Sequence, residues 1–126
     1  MKGLPILTIV LAVLLAGCQN TNSPDYTVKM FTKHMKALEF EKAKHYVTPQ
    51  TIASLKLVEA MYKLGDSVAV RHAVSSIVFD GEDSERTCSF LNDGGQTVTV
   101  PVTLVEGTDR WLIDVPPGYV LGTSRN

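Results

Sequence analysis

Thr97-Val98-Thr99-Val100-Pro101-Val102-Thr103-Leu104-Val105-Glu106-Gly107-Thr108-Asp109-Arg110-Trp111-Leu112-Ile113-Asp114-Val115 is the stretch from which the fold can be read. Val98, Val100, Val102 and Leu104 stand two apart, and a period of two puts them on one face of a strand. Glu106-Gly107 punctuates the run, after which Trp111, Ile113 and Val115 resume the alternation as the inward face of a further strand. Pro101 falls on the opposite phase and has no N–H to give a ladder, which suits an edge or a bend. Working back, Glu85–Leu91 forms another run, closed by Asn92-Asp93-Gly94-Gly95. Val74–Phe79 forms one more, closed by Asp80-Gly81. Four runs joined by turn chemistry predict an antiparallel meander.

Before Val74 the spacing is helical. Ser23-Pro24-Asp25 combines a hydroxyl cap, a proline at the first helical position and an acid at the positive end of the dipole. Val28, Phe31, Met35 and Leu38 then form one apolar stripe. Lys29, Lys33 and Lys36 lie opposite it, on a solvated face or one able to touch anionic lipid headgroups. The phase breaks at Glu39–Phe40, and Phe40, Ala43, Tyr46 and Val47 predict a short second helix. Thr48-Pro49 repeats the opening signal for a third helix, which runs to Leu64 ahead of Gly65. Its charges, Lys56, Glu59 and Lys63, occupy a narrow strip. Leu55, Leu57, Val58, Met61, Tyr62 and Leu64 cover more than half of its circumference, so the pattern predicts contact with both the sheet and another helix. Residues 66–73 carry no decisive pattern, and 119–126 read as a tail over the surface. The expected class is α+β, with three N-terminal helices followed by a four-strand antiparallel sheet.

The N-terminal end decides location. Gly3 to Gly17 contains no charge, yet it is shorter than the roughly 20 residues that a bilayer span needs. A basic start, an apolar middle and small residues before a break mark a secretory leader. The break, Leu15-Ala16-Gly17-Cys18, resembles the bacterial lipobox. That resemblance implies cleavage before Cys18 and a diacylglycerol thioether on its sulfur, with a further acyl chain such as palmitate on its amine. Two or three chains hold a protein on a bilayer where one would not. The implied partner is therefore the lipid bilayer, through acylated Cys18. Gln19 to Ser23 is polar and aperiodic, a tether of at most about 17 Å. Gln19 is not the aspartate that retains enteric-type lipoproteins in the inner membrane, so the implied address is the outer membrane, facing the periplasm. Residues 1–17 thus read as leader, 18–23 as lipidated cysteine and tether, 24–118 as one domain and 119–126 as tail.

The order of elements, the ending Gly107 to Val115 with Trp111 and Asp114, and Phe40 to Ala43 after a helix bearing Phe31 together resemble small bacterial lipoproteins of the nuclear-transport-factor-2-like superfamily, also called ketosteroid-isomerase-like. The resemblance spans about residues 25–115. It implies a curved sheet wrapped round the long helix, a cone with an internal pocket. Members of that superfamily include both enzymes and binding modules, so fold leaves function open.

Chemistry-bearing residues are scattered. The 126 residues carry a net charge of −1, without the basic footprint of a nucleic-acid binder. His34, His45 and His72 have no metal-ligand spacing, and no metal or cofactor is expected. Tyr26, Tyr46, Tyr62 and Asp114 offer phenols and a carboxylate for isomerase chemistry, but no local motif unites them, and the alternation turns Asp114 away from the core. His45 follows Glu41 at the spacing of a helix-surface pair. Cys88 reads as a buried strand cysteine. Arg86 shares its face and could meet an acidic ligand. Tyr62, Arg86 and Trp111 are the pocket candidates, with Trp111 expected opposite Leu55, Val58 and Tyr62. The sequence favours a membrane-anchored, non-catalytic binding or accessory domain for an apolar or acidic small ligand or an envelope protein. A small pocket enzyme of the isomerase or dehydratase type is the alternative.

Overall fold

The computed structural model describes residues 22–122; Cys18, the leader and most of the tether lie outside them. Helix α1 spans Pro24–Lys36 and opens as its sequence predicts. Ser23 is extended, and its hydroxyl accepts the Tyr26 N–H at 3.1 Å. Phe31 and Met35 on its inner stripe are buried. The helix ends in a two-bond reversal, Leu38 N–H to the Met35 carbonyl at 2.9 Å and Glu39 N–H to the His34 carbonyl at 2.8 Å. Leu38 occupies the left-handed position, with φ 61°, where glycine is usual. The short α2, Phe40–Ala43, and a tight turn at Lys44–Tyr46 follow.

Helix α3 spans Pro49–Lys63. Only Thr51, Leu55 and Val58 of it are buried, while Leu57 is 46 % exposed and Leu64, just beyond its end, 86 %. The helix does lie against both the sheet, at its last strand, and another helix, as its pattern predicts, but less of its apolar circumference is covered than expected. The reason is a further helix, α4, at Ser67–Ser75. Its Val70, Ala73 and Val74, followed by Ile77, are buried at helical spacing, and it shares the covering of the sheet with α3. The described residues therefore hold four α-helices, and Val74 belongs to the last of them rather than to a strand.

The sheet consists of β1 Val78–Glu82, β2 Glu85–Leu91, β3 Thr97–Glu106 and β4 Trp111–Asp114, antiparallel and in chain order. Cys88 pairs with Val100, and Leu104 with Ile113. Those four residues, with Phe90 and Val102, form the buried face that α1 and α4 cover. Thr97, Thr99, Pro101 and Thr103 are exposed on the other phase. Pro101 pairs with Thr87 on β2, while β4 joins β3 only from Thr103 onward. Proline thus sits where the strand is locally an edge. The first hairpin turns at Asp83-Ser84, later than the expected Asp80-Gly81, because β1 continues through Gly81. A Cβ on Gly81 would stand 2.6 Å from the Glu85 carbonyl oxygen, so only glycine allows that approach.

The C-terminal segment departs from its expected course. After Pro116-Pro117-Gly118 the Tyr119 carbonyl accepts a hydrogen bond from the Ser54 hydroxyl at 3.4 Å. Leu121 is only 1 % exposed, and a Cβ added at Gly122 would stand 3.0 Å from Val74 Cγ1 and 3.6 Å from Val58 Cγ1. Leu121 and Gly122 are therefore buried at the end of this segment instead of trailing, while Tyr119 stays exposed; 123–126 lie outside the described residues.

Candidate functional site

The sheet alternation carries Arg86 onto the Cys88–Phe90 face, where its side chain is only 7 % exposed. Its guanidinium donates from Nε to the Asp83 carbonyl at 2.9 Å and from Nη2 to Asp25 Oδ1 at 2.8 Å. Asp25 itself is 86 % exposed. Arg86 thus clips the first turn of α1 to the first hairpin of the sheet. Trp111 is half-buried against the core, and its carbonyl accepts the buried Thr27 hydroxyl at 2.8 Å. The element facing it here is α1, not the third helix as expected. Tyr62 lies at a different junction, its ring 5.9 Å from Phe40 and its hydroxyl 2.9 Å from Arg71 Nη2. Arg86 and Trp111 therefore both meet the first turn of α1, and Tyr62 joins neither.

Asp114 is turned away from the core, as the alternation requires, and is bound into the scaffold. Its Oδ1 accepts from the Thr48 hydroxyl at 2.6 Å and from Gln50 Nε2 at 3.1 Å. The Thr48 and Thr51 hydroxyls are 3.0 Å apart, and Thr51 Oγ1 accepts the Val115 N–H at 2.9 Å. An amide N–H only donates and a carboxylate only accepts, so the chain of protons runs Val115 to Thr51 to Thr48 to Asp114. The Thr48 hydroxyl therefore ties α3 to β4 and does not cap its own helix.

Cys88 is fully buried, and desolvation pushes its thiol up to about 12, the inert limit for a thiol nucleophile. His34 is buried on α1, with Nδ1 3.0 Å from Glu39 Oε1 and its ring stacked 5.9 Å from Tyr46. The hydrogen bond from His34, then that from Lys42, holds the Glu39 carboxyl below its ordinary value. His45 and His72 are exposed. Glu41 pairs with Lys44 at 2.6 Å rather than with His45, which lowers its carboxyl and raises the Lys44 ammonium. Among the described residues no group of three or more His, Cys, Asp or Glu side chains could hold a metal ion, and no helix is long and apolar enough to cross a membrane.

The concavities lined by described residues open to solvent. One, of about 390 Å³, lies beside Arg86, Thr87, Pro101 and Thr103. Another, of about 450 Å³, lies at the α3–α4 turn beside Asp66, Val68, His72 and Asp93. A third, of about 190 Å³, is lined by Tyr26, Tyr46, Asp109 and Arg110. It draws on α1, the turn after α2 and the β3–β4 turn. The sequence listed both tyrosines without showing that they converge, and it did not mark Arg110. Sequence neighbours of the strand-ending Gly107 turn were the only available hint. Comparison of the chain with protein-family models, with curated proteins and with solved structures gives no match.

Proposed function

We propose that this protein is a membrane-anchored bacterial lipoprotein, a non-catalytic binding or accessory domain held in the cell envelope by acylated Cys18. The observation that carries the reading is the sequence Leu15-Ala16-Gly17-Cys18 at the end of an uncharged run, with a folded domain beginning at Ser23. The short polar tether would hold that domain against the bilayer, on the outer membrane facing the periplasm. Its first helical turn is clipped to the sheet by Asp25 and Arg86, so tension on the tether would be borne by the whole domain. Helices on one face of an antiparallel meander are the arrangement that a nuclear-transport-factor-2-like cone would require. We carry that kinship, the internal pocket it implies and an apolar or acidic ligand or envelope protein as parts of the same proposal.

Intact-mass analysis of protein extracted from its own membranes tests the reading. The expected product begins at Cys18 and carries the mass of its acyl chains, and Cys18→Ser leaves the protein unprocessed or released. An unmodified N-terminus, or equal membrane retention of Cys18→Ser, would overturn it.

A further inference from the structure

The first turn of α1 and the β1–β2 and β3–β4 turns share one end of the molecule. Arg86 pairs with Val102 on β3, four residues before the strand ends, and Asp25 reaches it from α1. Trp111 opens β4 and takes the Thr27 hydroxyl. The chain enters the domain at this end, so this is the end nearest Cys18. The α3–α4 turn, with its exposed Leu64 and Val68, sits beside Asp93 of the β2–β3 turn, at the opposite end of the sheet. Ten residues of β3 separate the ends by roughly 30 Å.

The tether-proximal end is acidic, carrying Asp25, Glu82, Asp83, Glu85, Glu106 and Asp109 against Arg86 and Arg110. A surface of that sign repels a bilayer rich in anionic lipid. Within it lies the small concavity of Tyr26, Tyr46, Asp109 and Arg110. Arg86 is already taken by Asp25, but the Arg110 guanidinium lies 5.1 Å from the Tyr46 ring centre, with the exposed neighbour Asp109 as its carboxylate partner at 3.3 Å among the described residues. Neither phenol hydroxyl has a hydrogen-bond partner among the described residues. Two unpartnered phenols, a stacked cation and an adjacent anion offer both signs of charge within one recess. At about 190 Å³ it has room for about six waters, the scale of one lipid headgroup.

We propose that this recess seats the zwitterionic phosphoethanolamine headgroup of a bilayer lipid, with the phosphate on Arg110 and the phenols and the ammonium on Asp109. The proposal rests on the anchoring reading for its source of lipid: Cys18 stands only five residues before Ser23, a reach of at most about 17 Å. Aromatic and arginine side chains suit the headgroup level, where one side is apolar and the other wet. The acidic collar selects a zwitterion over an anion. The seat would fix how the tethered domain stands, leaving Leu64 and Val68 pointing away from the anchoring membrane.

Trp111 follows Arg110 directly and is the only tryptophan of the chain, so its emission reports the site. The acylated protein, in a phosphate-free detergent, is titrated with glycerophosphoethanolamine and with glycerophosphoglycerol. A saturable change with the first is expected, about threefold weaker with the second, the size of one exposed charge contact. Arg110→Gln should abolish it. Tyr46→Phe, which keeps the ring, should weaken it while the thermal midpoint stays unchanged. Equal response to the two headgroups, or a native response from Arg110→Gln, overturns the seat. Flotation with phosphatidylethanolamine vesicles is read separately. It depends on Cys18 and not on Arg110, so failure of the native protein to float counts against the anchor, while the titration still judges the seat.

Discussion

Cys88 is the clearest case of a residue whose environment sets its chemistry. Its thiol is raised to about 12 from an ordinary 9.0 by burial alone. The unfolded chain therefore loses this proton at a lower pH than the folded one. Between about pH 9 and 12 the folded state binds more protons, and stability falls as pH rises, by about 1.4 kcal/mol per unit from this group. Urea titrations of the native protein and Cys88→Ala across that range check the point. The variant should be less stable by about 1 kcal/mol at pH 7, and the gap should narrow above pH 9. A maleimide should label Cys88 only after denaturation. Gly81 makes the complementary case, since its φ is 108° and a Cβ there would stand 2.6 Å from the Glu85 carbonyl oxygen, which excludes any side chain. Gly81→Ala should cost more than about 1 kcal/mol and loosen the first hairpin, visible as faster amide exchange in β1. Burial of Cys88 was legible from its phase on the strand. The ion pair of Arg86 was not, because Asp25 lies 61 positions away and nothing local links them.

At the scale of elements, the joint between α3 and β4 replaces a cap that the sequence promised. Thr48-Pro49 does begin the helix, with proline at its first turn. Yet the hydroxyl that would cap it is drawn to Asp114, 66 positions away. Thr51 is buried, and its hydroxyl is the only link between the Val115 amide and that relay. Thr51→Val preserves shape and leaves the amide unpaired, so it should cost about 1–3 kcal/mol by urea unfolding. Asp114→Asn keeps an acceptor and should cost less than Thr51→Val; the reverse order would mean that the charge and not the connection matters. Local spacing also explains which elements were readable. The stripe of α1 and the alternation of β3 are long and regular. Helix α4 is short, and the triplet Val70, Ala73 and Val74 runs on into the apolar Ile77-Val78-Phe79 that leads into the next strand. A helical spacing read on to Ile77 would have found it.

At the scale of the molecule, the helical layer is completed by the last described residues. Strand β4 delivers the chain through Pro116-Pro117-Gly118 to Leu121, which is 1 % exposed, and Gly122 lies against Val58 and Val74. A segment carrying one fully buried leucine therefore closes against the seam between α3 and α4. A short aperiodic segment carries no spacing from which to predict this, since only the packed helices define where it goes. Because the seam joins α3 to α4, and α4 rests on the sheet, loss of that leucine should weaken the whole domain and not one edge. Leu121→Ala is expected to lower stability by about 2–5 kcal/mol, the range for a buried leucine whose site collapses little. Unfolding should remain a single transition, with far-ultraviolet circular dichroism and Trp111 emission changing together. Should the helical signal be lost before the tryptophan signal, α3 and α4 would be a separable layer and Leu121 a local fastener. Coincident curves with a lowered midpoint would instead make the end of the chain part of the common core.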